Sequence, residues 1–215
     1  MPSNEDRISC CAVILSGGRN SRMAGRNKAF IRIGEKTILD RIMASIVPIF
    51  SEILLVTRQP DLYKGYQLKV VEDIFESRSS LTGIHAGLVH AASAYAFVVP
   101  CDAPFISPGL VRYLIDQAED SLDAVIPVSG DHYEPLCAIY SKRCIPFIED
   151  QLQRKDFKII NMFDKINLRT IPVEDFRTID PDLSTFFNVN TPEAHKLSQA
   201  KARQLAVQSS GQKKV

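Results

Sequence analysis

The sequence predicts an α/β fold, a doubly wound and mostly parallel sheet in three layers, and three observations carry that reading. Short apolar runs suited to buried strands alternate with segments of helical apolar spacing through most of the chain. The first run, residues 10–15, stops at Gly17 and Gly18, where the side chains vanish and the backbone is free to turn at a sheet edge. A chain of 215 residues with 45% hydrophobic residues can bury one large core.

Taken in order, residues 10–15 form an unbroken strand-like run, and residues 37–49 place Ile38, Leu39, Ile42, Ile46 and Ile49 at helical spacing, with Pro48 near the end. Residues 53–56 and 68–71 are short, nearly all-apolar runs of the kind buried on both faces. Residues 82–92 read as a helix of small residues, 95–100 as a strand, 108–117 as a helix with Pro108 in its first turn, and 124–127 as a strand. Further strands are expected at 136–140 and 168–173, and helical segments at 143–152 and 157–162. Residues 186–190 alternate at their end and lead into a helix start, with Thr191 as N-cap and Pro192 at its first position. The organisation expected is a flexible N-terminus over residues 1–9, one domain over 10–198, and a polar, disordered tail over 199–215.

Composition narrows the function classes. A formal net charge of +1 argues against general affinity for nucleic acid or an anionic membrane, so any phosphate recognition is local. No stretch approaches the roughly 20 apolar residues that span a bilayer. Glu5 and Asp6 stand where a signal peptide would be apolar, so the cytoplasm is the expected location. The five cysteines include no C-x-x-C pair, and Cys10, Cys11, Cys101 and Cys137 lie in apolar runs, which makes them reduced core residues. The histidines, His85, His90, His132 and His195, are expected to be structural or superficial.

A basic, glycine-bearing loop follows the first strand. From Leu15 to Lys28 it reads L-S-G-G-R-N-S-R-M-A-G-R-N-K, with Arg19, Arg22, Arg26 and Lys28 and no acidic residue. Bare amides beside clustered cations suit a polyphosphate, although a strand-to-helix turn with a solvated basic face has the same residues. It is no P-loop, because Gly25 is followed by Arg26 and Asn27 rather than by Lys and Ser or Thr, and Gly17, Gly18 and Gly25 lack the G-x-G-x-x-G spacing of a dinucleotide site. Ligands of such sheets bind at the carboxyl ends of the strands. Asp102 follows the 95–100 strand and either caps the turn before Pro108 or holds Mg²⁺, which takes one or two protein oxygens and completes its shell with water and phosphate. Asn188 and Asn190 precede the last helix and either satisfy loop backbone or face a ligand. Asp73 ends the 68–71 strand, and Leu81, Thr82 and Gly83 open the next helix.

The loop resembles the signature of Rossmann-like nucleotidyltransferases, most closely the molybdenum cofactor guanylyltransferase family, whose pattern runs L-[AS]-G-G-x-x-x-R-M-G-G-x-D-K. Leu15, Gly17, Gly18, Arg22, Met23, Gly25 and Lys28 fit it in place; Ala24 and Asn27 depart from it. Cys101-Asp102-Ala103-Pro104 resembles the family's C-D-x-P, Asn188 to Pro192 its N-x-N-T-P, and Pro135 to Tyr140 its P-L-x-A-x-Y strand, so the likeness runs from about residue 10 to residue 194. The resemblance implies transfer of GMP from GTP to the terminal phosphate of molybdopterin, with or without molybdenum, giving a guanine dinucleotide and pyrophosphate. It assigns the nucleotide to Leu15, Ser16, Gly17, Gly18, Lys28, Asp73, Leu81, Gly83 and Asp102, and the pyrophosphate side to Lys28 and Arg22. Mg²⁺, or Mn²⁺ in its place, falls to Asp102 and Asn190, with Asn188 in support. The match around Asp73 is looser, since Ser77, Arg78, Ser79 and Ser80 replace a Gly-Pro-rich segment. Transient contacts with cofactor-biosynthesis proteins and molybdoenzymes would accompany this role. A cytidylyl sibling, which more often carries D-x-D where this chain has Asn188-Val189-Asn190, a sugar- or polyol-phosphate nucleotidyltransferase, and a nucleotide-binding module without turnover are the alternatives.

Overall fold

β1 (Cys10–Leu15) is buried on both faces: Cys11, Ala12, Val13 and Ile14 have no exposed surface. The computed structural model describes residues 9–17, 27–66 and 68–211, with side chains as far as residue 205. A small hairpin, β2 (Arg32–Ile33) and β3 (Lys36–Thr37), turns through Gly34 at φ +62°. It delivers Thr37 as the N-cap of α1 (Ile38–Ile46), where the Thr37 hydroxyl accepts from the Asp40 amide and the Asp40 carboxylate accepts from the Thr37 amide. β4 (Ile53–Val56) and β5 (Lys69–Val71) follow, then α2 (Ser80–His90), capped by Ser79. β6 (Tyr95–Pro100) leads to α3 (Pro108–Asp116), capped by Ser107 with Pro108 in the first turn. The remaining elements are β7 (Ala124–Ser129), β8 (His132–Tyr133), β9 (Ala138–Ser141), α4 (Ile145–Gln153), β10 (Leu168–Pro172) and α5 (Pro192–Gly211).

Eight strands form one sheet in the order β10-β7-β9-β6-β1-β4-β5, with β8 paired to β7. β5, β4, β1 and β6 run parallel, β10 runs parallel to β7, and β9 is inserted antiparallel between β6 and β7. Alternation along β1 divides the core. Ala12 and Ile14 join α1 and α3 in one cluster, while Cys11 and Val13 join α2 and α4 in the other. Helices therefore cover both faces, the three layers expected for a largely parallel sheet. Among the described residues no helix is long and apolar enough to cross a membrane.

Three local expectations are corrected. Residues 157–162 form no α-helix; 159–162 open a 3-10 stretch, Ile159–Lys165. Residues 187–190 form no strand, and the Val189 amide donates to the Asp102 carbonyl at 2.8 Å. The chain is not disordered from residue 199, because α5 continues to Gly211. The Gln199 side chain accepts from the Gly34 amide at 2.9 Å and donates to the Arg32 carbonyl at 2.8 Å, and Ala202 is 6% exposed. These polar residues bond to the hairpin backbone, a use that composition alone does not distinguish from solvation.

α2 sits unusually close to β1. A Cβ added at Gly87 would lie 2.4 Å from Val13 Cγ1, and one at Gly83 would lie 3.1 Å from Leu15 Cδ2. Alanine raises helix propensity by about 1 kcal/mol over glycine, whereas overpacking a rigid core costs about 1–3 kcal/mol. Gly87→Ala is therefore expected to lower the urea and thermal midpoints. Gly65→Ala, which meets nothing within 4 Å, is the control and should leave them near wild type. A midpoint unchanged in Gly87→Ala would mean that α2 slides on β1 without penalty.

Candidate active site

The chain order places a crevice between β1 and β6. After β1 the chain moves through β4 to β5 on one side and returns with β6 on the other, so the loops leaving β1 and β6 part in opposite directions. Such a switch point opens a cleft outside the carboxyl ends of the two strands. Here the Cys101 amide donates to the Leu15 carbonyl at 3.0 Å, which carries the β1–β6 pairing one step past the strand ends. Beyond it lies a cavity of about 420 Å³, walled by Leu15 to Gly17, Lys28, Asp73, Arg78 to Ser80, Gly83, Pro100 to Asp102, Asn188 and Asn190. Most of the residues singled out in the sequence meet at this wall.

Lys28 is the centre of its polar side. Its Nζ donates to Asp102 Oδ2 at 2.9 Å and also to Asn190 Oδ1, and the Lys28 and Asp102 side chains are 17% and 16% exposed. The Asp102 carboxylate thus accepts from Lys28, while Ser107 caps the following helix, so Asp102 is not a turn cap. Asn190 is likewise engaged by Lys28 rather than by loop backbone. The Asp102 carbonyl, accepting from the Val189 amide, stitches the Asn188–Asn190 segment to the end of β6.

Ser16 lines the cavity, and its polar groups tie the turn to the neighbouring elements. Its amide donates to the Val56 carbonyl at 2.8 Å, its carbonyl accepts from Thr57 Oγ1 at 3.1 Å, and its hydroxyl lies 2.5 Å from the Tyr63 hydroxyl. All three polar groups are committed to the interior, which leaves Gly17 to present bare backbone to the cavity. Tyr63 is fully buried, and that burial pushes its phenol pKa up, so the hydroxyl stays protonated. It also accepts from Asn27 Nδ2 at 2.9 Å, while Asn27 Oδ1 accepts from the Ala29 amide at 3.1 Å and caps the 3-10 turn that carries Lys28. The departure at Asn27 therefore has a use: the amide donates and accepts at once, which a carboxylate cannot.

Asp73 lines the wall but is paired with Arg58 at 2.7 Å. Gly83 lines it too, with Leu15 packed against the glycine. Leu81 does not: its side chain is fully buried in the core cluster under α2, because the first turn of that helix directs Leu81 to the sheet and leaves Arg78, Ser79 and Ser80 at the cavity. Gly18 and Arg22, together with Arg19 and Arg26, lie outside the described residues. Burial pushes the Cys101 thiol up to about 11, so it is neutral at pH 7 and is no nucleophile. Tyr63 and Arg58 escaped the sequence reading, since each meets its partners only through the fold.

Among the described residues no group of three or more His, Cys, Asp or Glu side chains converges. Asp102 and Asn190 nonetheless aim two oxygens at one cation, the Lys28 ammonium. One carboxylate and one amide oxygen fit a hard divalent ion that draws its other ligands from water and phosphate, and do not fit zinc.

Comparison with known proteins agrees along the length of the chain. Residues 12–166 match the family described as MobA-like NTP transferase domain. The chain is 38% identical over 188 residues to the molybdenum cofactor guanylyltransferase of Desulfosudis oleivorans, across 87% of this chain and 93% of that one. It is 36% identical over 193 residues to a probable molybdenum cofactor guanylyltransferase of Clostridium perfringens, across 88% of this chain and 96% of that one. The crystal structure of molybdopterin-guanine dinucleotide biosynthesis protein A from Archaeoglobus fulgidus superposes with a TM-score of 0.81 at 27% identity, across 90% of this chain and 98% of that one. With sequence, fold and cavity in accord, the chain belongs to the MobA-like NTP transferase family and is a nucleotidyltransferase.

Proposed function

We propose that this chain transfers GMP from GTP onto the terminal phosphate of molybdopterin, with or without its molybdenum, to give a guanine dinucleotide and pyrophosphate. The observation that carries the proposal is the meeting of Lys28, Asp102 and Asn190 at the rim of a nucleotide-sized cavity, in a chain 38% identical to a molybdenum cofactor guanylyltransferase. In this reaction a phosphate oxygen of molybdopterin forms a bond to the α-phosphorus of GTP. The bond from that phosphorus to the oxygen bridging the β-phosphate breaks, and pyrophosphate leaves with the electron pair. No general base is required, because a phosphate monoester with a second pKa near 6 is mostly dianionic at pH 7. The barrier lies in bringing an anion to an anion.

The residues divide that task. Gly17 allows the phosphates to approach the backbone closely, and Lys28, with Arg22, places positive charge beside the departing pyrophosphate. Asp102 and Asn190 would hold Mg²⁺, with Mn²⁺ as substitute, and Asn188 stands in support. That ion, when bound, neutralises charge on the α-phosphate and makes its phosphorus more open to attack. Asp73 and Gly83 form the wall nearer α2. Transient docking with cofactor-biosynthesis proteins or molybdoenzymes, and a cytoplasmic location, complete the reading.

Nucleotide choice is tested by thermal shift. GTP with Mg²⁺ should raise the melting temperature more than CTP at equal concentration, and saturation at 100 times Kd would add about 2.7 kcal/mol. Equal or greater stabilisation by CTP would reassign the chain to the cytidylyl branch of this chemistry. Stabilisation by every triphosphate without turnover would leave a binding module.

Asp102 and Lys28 are separable by substitution. Asp102→Ala should fold as wild type yet transfer little at any Mg²⁺ concentration, while Asp102→Asn should recover part of the rate at high Mg²⁺ or with Mn²⁺. Lys28→Ala should lower turnover by at least about 10²-fold, the scale of one oriented electrostatic group, and Arg26→Ala should change it little. Equal losses at Lys28 and Arg26 would mean that the loop works as a diffuse basic patch. An active Asp102→Ala enzyme would move the metal site elsewhere.

A further inference from the structure

One side chain behind the cavity holds two parts of its wall together. Arg58 follows the end of β4, and its Nε donates to Asp73 Oδ2 at 2.7 Å. Its Nη2 lies 2.8–3.0 Å from the carbonyl oxygens of Phe75, Glu76 and Ser77. The Arg58 and Asp73 side chains are 27% and 8% exposed, so this is a largely enclosed contact rather than a surface ion pair. Three successive carbonyls drawn to one nitrogen fix the path from Asp73 to Ser79, where the Ser79 hydroxyl accepts from the Thr82 amide at 3.1 Å and starts α2. Asp73, Arg78, Ser79 and Ser80 all stand on the cavity wall, whereas Arg58 does not.

Two physical consequences follow for an anionic ligand. Among the described residues the wall sets Lys28 and Arg78 against Asp73 and Asp102, an even balance until Arg58 is counted from behind. Asp73 Oδ2 also lies 4.0 Å from where a Cβ on Gly17 would sit, so its charge stands beside the backbone meant for phosphates. An unpaired carboxylate there would repel a triphosphate.

We propose that Arg58 is a positioning residue for the nucleotide: it neutralises Asp73 and pins the 75–79 segment so that Asp73, Arg78 and Ser79 face the ligand in one arrangement. The inference rests on the nucleotide-transfer reading above. Arginine is suited to this and lysine is not, because a planar fork reaches a carboxylate and a row of carbonyls together while an ammonium is a point donor. Arg58 works before the ligand arrives, so its contribution belongs in binding and not in the chemical step.

The test uses the full chain with GTP and Mg²⁺, combining calorimetric Kd, steady-state kinetics and the ligand-free melting temperature. Arg58→Ala should raise Kd and KM about tenfold, the scale of a lost contact to a charged group, with kcat within about twofold. Arg58→Lys should recover only part of the loss. Combined with Asp73→Asn, Arg58→Ala should weaken GTP binding by less than the product of the two single effects, because one residue acts through the other. A folded Arg58→Ala protein with wild-type Kd, an Arg58→Lys protein equal to wild type, or strictly multiplicative effects would each overturn the role. Should Arg58→Ala not fold, Arg58→Lys, alone and with Asp73→Asn, decides it on the same criteria. Wild-type protein that binds no nucleoside triphosphate would overturn the functional reading and this inference with it; wild-type binding with unaffected variants would overturn Arg58 alone.

Discussion

The parallel pairing of β1 with β6 is the constraint on which the site depends. The register sets Leu15 against Pro100, and the Cys101 amide then reaches the Leu15 carbonyl, so the glycine-bearing turn and the Asp102 turn leave the sheet side by side. Neither strand has freedom to shift. A slip of one residue would move Cys11 and Val13 from the α2–α4 cluster to the α1–α3 cluster, and every buried neighbour with them. Core packing therefore fixes the separation of the polar groups at the rim. The close seat of α2 on β1 through Gly83 and Gly87 carries the same precision to the opposite wall.

Much of this was legible in the sequence, and for identifiable reasons. Runs such as residues 53–56 and 95–100 announce strands because burial on both faces leaves no polar alternative. Gly17 and Asp102 stand out because each comes just after such a run, and Lys28 because it closes the basic loop that follows the first one. The direction of β9 was not legible, since an antiparallel insertion has the same apolar run as a parallel one. The core position of the Leu81 side chain was not legible, because the opening of a helix near a ligand reads as one unit although successive side chains there diverge toward core and cavity. The docked half of α5 was read as disorder because Gln199 bonds to backbone it meets only in three dimensions.

Tyr63 and Arg58 illustrate the remaining gap. Both follow β4 within a few residues, and both have their polar ends turned inward to groups distant in sequence: Tyr63 to Ser16 and Asn27, Arg58 to Asp73 and the carbonyls after it. Neither belongs to a motif, and no periodicity marks them. Their value is in holding backbone and side chains that do belong to motifs, so they become visible only once the strands have been assembled. The β4 connection is in this sense the frame of the site, with the signature residues mounted on it.

The Lys28–Asp102 pair has a consequence for ionic strength. Without ligand, the cation most suited to phosphate is already neutralised by a carboxylate at 2.9 Å, with both side chains less than one-fifth exposed. A triphosphate must therefore compete with an internal anion for Lys28 rather than meet a bare charge. Dissolved salt screens the long-range attraction of the polyphosphate to the net charge of the site, whereas the enclosed Lys28–Asp102 pair is screened much less. With Lys28 already paired, nucleotide affinity should fall less steeply with added salt than a tally of the basic residues described around the cleft would indicate.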